Sequence, residues 1–64
     1  MVAKFIGKTS CGFITGEIYS IKIYTRDNFI IIEDTQSEAI CPYSSIKVVN
    51  DNWITIKLSK SFSI

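Results

Sequence analysis

The sequence predicts a small all-β domain, and three observations carry that prediction. Thirteen isoleucines, three valines and five threonines make about a third of the 64 residues β-branched, and such side chains, stiff at χ1, favour pleated, half-buried surfaces over helices. Short apolar runs are separated by clusters of Gly, Asp, Asn, Ser and Pro, the punctuation of strands and turns. From Trp53 onward Ile54, Ile56, Leu58, Phe62 and Ile64 fall on even positions, while Trp53, Thr55, Lys57, Ser59, Ser61 and Ser63 fall on odd ones, with Lys60 the exception. Period-2 alternation belongs to an extended strand with one wet and one dry face.

Taken in order, residues 2–7 form a first strand whose inner face is either Ala3 and Phe5 or Val2 and Ile6. Residues 8–16, with Gly12, Gly16 and three hydroxyl side chains, form an irregular loop. A second strand follows over 17–24, with Tyr19, Ile21 and Ile23 on one face and Ser20 and Lys22 on the other. Thr25, Arg26, Asp27 and Asn28 supply a hairpin turn, because Asp and Asn bond their own backbone and tolerate unusual dihedrals. Residues 29–33 are apolar on both faces, the pattern of a central strand covered on two sides. After a turn at 34–37, residues 38–41 make a short fourth strand that Pro42 stops by removing a backbone donor. Residues 42–45 have the length of one 3₁₀ turn. Residues 46–49 then read as a fifth strand with Ile46 and Val48 inward, and Asn50, Asp51 and Asn52 as the turn into a long sixth.

That last strand is too long for its domain. At about 3.3 Å per residue it would reach roughly 40 Å, whereas a domain of this size has a radius of gyration near ~11 Å and a width of roughly 28 Å. It must bend, bulge or project towards another chain. The whole of 1–64 is read as a single domain with a strand extension from about residue 53.

Composition narrows the chemistry. There is no histidine, so the commonest general base and metal ligand is missing. The acidic residues Glu17, Asp27, Glu33, Asp34, Glu38 and Asp51 sit mostly at strand ends and turns, and Gly7, Gly12 and Gly16 lack the spacing of a phosphate-cradling loop. The chain is therefore expected to be no enzyme and to need no cofactor or metal. Cys11 and Cys41 are too few and too far apart to signal a disulfide framework, and they are expected to be ordinary thiols. No apolar run approaches the roughly 20 residues of a membrane helix, and the first residues do not resemble a signal peptide; a cytoplasmic protein with no membrane association is expected. Net charge is +1, which gives little long-range attraction to a polyanion.

Strand, long loop, three hairpin-linked strands, a 3₁₀ turn and a further strand is the order of an SH3-like barrel. The stretch Ile40, Cys41, Pro42, Tyr43, Ser44, Ser45, Ile46, Lys47, Val48, Val49 resembles the end of an SH3 domain. Lys4-Phe5-Ile6-Gly7, Thr15-Gly16-Glu17-Ile18-Tyr19 and Pro42-Tyr43-Ser44-Ser45-Ile46 resemble small uncharacterised SH3-like proteins of phages and prophages in Gram-positive bacteria. That resemblance implies a barrel of five to six antiparallel strands with a 3₁₀ turn and an added C-terminal strand. It also implies an adaptor, or an inhibitor of a host protein. The acidic loop and paired tryptophans of polyproline-binding SH3 domains are missing, so that mode of recognition is not expected even with Tyr43 near the place of a ligand-facing tyrosine.

The remaining signal is surplus apolar surface. With a hydrophobic fraction of 47% and mean hydropathy of +0.25, a domain of this size cannot bury both faces of 29–32 together with Phe13, Ile14, Phe62 and Ile64. A protein-binding function follows, with a homodimer through the long strand as the simplest form. The expected contact residues are Phe29, Ile31, Trp53, Phe62 and Ile64. The competing reading is a nucleic-acid-binding small barrel, with Lys22, Lys47 and Lys57 as outward cations and Tyr24, Tyr43 and Trp53 as stacking platforms.

Overall fold

The computed structural model describes residues 1–56. Five strands and one helix follow in the order β1 (Val2–Phe5), β2 (Ile18–Arg26), β3 (Phe29–Asp34), β4 (Ile40–Tyr43), α1 (Ile46–Asn52) and β5 (Trp53–Thr55). The strands form one antiparallel sheet ordered β4-β3-β2-β1-β5. Strand β2 serves two neighbours: Ile18 to Ser20 pair with β1, and Ile21 to Arg26 pair with β3. A strand shared in this way divides the sheet into two wings over one interior. The two outer strands, β4 and β5, do not pair with each other, so the sheet is not closed among the described residues.

Strand β1 presents Ala3 and Phe5 to the interior, both 1% exposed. Phe5, Phe13, Tyr19 and Trp53 pack as an aromatic cluster, with ring centroids of Phe13 and Trp53 4.9 Å apart and those of Phe5 and Trp53 5.0 Å apart. Ile21, Ile32, Cys41, Tyr43 and Val49 complete the core. Asp34 is buried at the end of β3, where its carboxylate accepts from the Gln36 backbone N–H at 3.0 Å and the Ser37 hydroxyl at 2.8 Å, closing the predicted turn. Asp27 and Asn28 both take positive φ, 49° and 70°, as the tight turn of a two-residue hairpin requires and as these residue types tolerate.

Several expectations are corrected. Residues 46–49 are not a strand but the start of α1, and the predicted turn at 50–52 is its end. Ser45 caps the helix by accepting the Val48 N–H at 3.3 Å, Lys47 lies 3.5 Å from Asp51 one turn on, and the Asn52 side chain donates to the Val48 carbonyl at 2.7 Å. These local bonds outweigh the β preference of Ile46, Val48 and Val49. Val49 is the buried residue of the helix and Val48 packs half-buried against the core, whereas Ile46, also expected inward, is exposed. The helical turn therefore sits after residue 45 rather than at 42–45. Pro42 does not stop β4 but lies within it. The Asp34 N–H donates to the Ala39 carbonyl, and antiparallel alternation from that pair makes Ile31 and Pro42 a non-hydrogen-bonded pair, with the proline nitrogen facing the open edge.

The final strand is also different from its prediction. Its described part is β5, paired to β1 as the fifth strand and not as an added sixth. Its faces are inverted: Trp53 is 6% exposed and Ile54 50%, because the indole fills the interior and finds a hydrogen-bond partner there. The predicted strand beyond residue 56 lies outside the described residues.

Phe13, expected as surplus, is fully buried. The turn that delivers it has Cys11 at φ 55° and Gly12 at φ 90°, with Ser10 and Phe13 exchanging backbone hydrogen bonds of 3.0 and 2.8 Å. Left-handed backbone costs about 1–2 kcal/mol for a residue with a side chain, and Cys11 is held there by a covalent bond. Cys11 and Cys41 are not free thiols: a disulfide joins them, with Cα atoms 5.6 Å apart across 30 residues of sequence. Closing a loop of that length constrains the unfolded chain by about 3–4 kcal/mol on the chain-entropy account. Gly12 allows the approach, since a Cβ there would lie 3.0 Å from the Ala39 Cβ.

Candidate protein-binding surface

The antiparallel register lines up two rows on the outer face of the β2-β1-β5 wing. Lys4 is opposite both Ile18 and Ile54, making the row Ile18–Lys4–Ile54. Next to it Val2 is opposite Ser20, and the Ile56 N–H donates to the Val2 carbonyl at 2.9 Å, adding Ile56 to the second row. Side chains opposite one another in a sheet stand within contact distance on one face. Ile18 is 57% exposed and Ile54 50%, so these aliphatic side chains frame a single lysine in open solvent. Ile6, also exposed, comes directly after the end of β1. Strand β5 has a partner on one side only among the described residues, and its other edge carries the unpaired backbone groups of an edge strand among them.

A second outward face lies on the other wing. There the rows are Pro42–Ile31–Tyr24 and Ile40–Glu33–Lys22, with Phe29 opposite Arg26 at the hairpin end. The Tyr24 hydroxyl donates to Glu33 Oε1 at 3.0 Å. Loss of solvent around the ring, followed by that hydrogen bond and the adjacent negative charge, holds the Tyr24 phenol above its ordinary pKa. Between Tyr24 and Pro42, Ile31 is buried at 6% exposure although it points away from the core. An open groove of about 340 Å³ lies at the hairpin tip, lined by Thr25 through Ile30. Among the described residues its walls come from this one hairpin.

The predicted contact residues are only partly brought together. Phe29 and Ile31 share the outer face of β3, where Phe29 is exposed and Ile31 is covered by its neighbours. Trp53 is in the core, its indole N–H donating to the Tyr43 hydroxyl at 2.9 Å, so neither aromatic is a surface platform. Phe62, Ile64 and Lys57 lie outside the described residues. Of the predicted nucleic-acid residues, Lys22 and Tyr24 share one face, but Glu33 stands between Lys22 and Ile40 in their row. Lys47 is on α1, facing Asp51. Sequence reasoning missed Ile54 because the faces of the last strand are inverted, and Ile18 because only the register brings it beside Lys4 and Ile54. Among the described residues no group of His, Cys, Asp and Glu side chains is arranged to hold a metal ion, and no helix is long and apolar enough to cross a membrane.

No family model matches the chain, and no curated protein or solved structure shows significant similarity to it.

Proposed function

We propose that the chain is a non-enzymatic protein-binding module that associates with a second copy of itself. The observation that carries this reading is the exposed row Ile18–Lys4–Ile54 lying beside the open edge of β5. Apolar side chains gathered on a face next to an unpaired strand edge offer both buried area and backbone hydrogen bonds to an incoming chain. A two-fold arrangement satisfies two such edges at once. Past the described residues the sequence continues the alternation with Leu58, Phe62 and Ile64.

The order of elements supports an SH3-like barrel within this reading: a long loop after β1, tight connections between β2, β3 and β4, a short helix, and a last strand returning to β1. In the phage setting implied by the sequence resemblance, such a module would serve in the cytoplasm as an adaptor or as an inhibitor of a host protein. Nucleic-acid binding draws no comparable support, since buried Trp53 and Tyr43 are unavailable for stacking.

Sedimentation equilibrium tests the proposal. The full chain is expected to show a dimer mass, and Ile54→Lys and Ile18→Lys, both at exposed positions, are expected to be folded monomers. A monomer for the unaltered chain, or dimers for both variants, would refute it.

A further inference from the structure

We propose that the Cys11–Cys41 bond is a redox-controlled pin that seats the β1–β2 loop and, with it, Phe13 in the core. Four observations lead there. The bond connects a loop turn to the edge strand β4, two places that no ladder pairing joins. Its two ends differ in access: Cys11 is exposed, whereas Cys41 is buried at 7%. Cys11 adopts the left-handed conformation at φ 55°, which its side chain disfavours unless something holds it. The turn so held places Phe13, two residues on, against Phe5, Tyr19 and Trp53.

The rest of the loop has its own anchors. Thr15 N–H donates to the Thr9 hydroxyl at 3.1 Å, and Ile14 N–H donates to the Tyr19 hydroxyl at 2.9 Å. Those bonds fix the loop's base to itself and to β2, the Ser10–Phe13 backbone pair closes the turn locally, and the tie to β4 is what seats the closed turn against the sheet. Opening that tie releases the turn while the sheet ladder stays paired.

The exchange is a two-electron reduction by an external dithiol. Its thiolate attacks the accessible Cys11 sulfur, and the electron pair of the broken S–S bond leaves on the Cys41 sulfur, which takes up a proton. The dithiol's second thiol then displaces the Cys11 sulfur from the mixed disulfide and departs oxidised, leaving two protein thiols. The reverse reaction with an oxidised dithiol restores the pin. In a reducing cytoplasm the chain would rest in the open form, and oxidation would close it. Disulfides of cytosolic proteins are commonly of this transient kind.

The single tryptophan is the reporter, because Trp53 touches Phe13. The oxidised full chain should leave no thiol reactive towards a maleimide, and dithiothreitol should expose two. Reduction should shift Trp53 emission to the red with the far-ultraviolet β signal retained, and oxidised dithiothreitol should reverse the shift. Cys41→Ala should be red-shifted and insensitive to dithiothreitol. Cys11→Ala, which lacks the bond and keeps the cost of the left-handed turn, should be red-shifted and equally insensitive. Two free thiols after oxidant treatment, unchanged emission on reduction, or a dithiothreitol response surviving in Cys41→Ala would overturn the proposal. Loss of the whole β signal on reduction, or an unshifted Cys11→Ala, would do so as well.

Discussion

The indole N–H of Trp53 donates to the hydroxyl of Tyr43 at 2.9 Å in a buried setting, and this bond joins β5 to β4, the outermost strands of the sheet, across the interior. Neither strand pairs with the other through its backbone. The side chains thus make the link that the open sheet lacks.

Tyr43→Phe should show what that link contributes. Removing the hydroxyl strands a buried indole N–H, which costs about 1–3 kcal/mol. Urea unfolding should show a lower midpoint with an unchanged slope. An unaltered midpoint would mean that the bond is energetically idle.

Alkaline pH should weaken the fold through Tyr43 and Tyr24. Burial raises the Tyr43 phenol above its ordinary value, an effect larger than the opposing one of the Trp53 hydrogen bond, and Tyr24 is raised as well. A group whose folded pKa lies above its unfolded value contributes fully below the unfolded value of about 10. That contribution disappears as pH rises through the folded value. Unfolding midpoints of the unaltered chain should therefore fall above about pH 10 more steeply than those of Tyr24→Phe or Tyr43→Phe. Parallel profiles for all three proteins would contradict this.

Phe13→Ala should be among the most damaging single changes. The ring is fully buried and meets three other aromatic rings, and truncating such a side chain costs about 3–5 kcal/mol. Total stability runs at only about 0.05–0.15 kcal/mol per residue, so urea unfolding followed by circular dichroism should show a much lower midpoint. A cooperative transition near that of the unaltered chain would show that the loop can collapse into the gap.

Ser45→Ala should lower the melting temperature by an amount equivalent to about 0.5–2 kcal/mol, the usual contribution of a helix N-cap. Ser45→Asp keeps an acceptor for the Val48 N–H and should stay close to the unaltered chain. Equal losses in both would point away from capping.

Which parts of this fold are readable from the sequence depends on how local their cause is. The strand with Tyr19 and Ile21, the hairpin at Asp27 and Asn28, and the turn at Asp34 are set by alternation and turn chemistry within a few residues, and each is where the sequence puts it. Helix α1 was hidden by Ile46, Val48 and Val49, which look like a strand. Its local signals were Ser45 before them and the Lys47–Asp51 spacing. The inversion of Trp53 and Ile54 could not be seen, because alternation identifies two faces without saying which is inner. The cysteine pair was beyond reach for a different reason: 30 residues separate its members, and only the folded path of the loop brings them together. The exposed Ile18–Lys4–Ile54 row depends in the same way on strand register.

Pro42 has a last implication. Its nitrogen faces outward from β4 and carries no hydrogen, so that margin of the sheet has a gap in its donors where a neighbouring strand would need one. Two molecules meeting along β5 would turn only these blunted margins to the solvent. If β5 is the seat of the proposed dimer, growth would then terminate at the pair instead of extending into a ribbon.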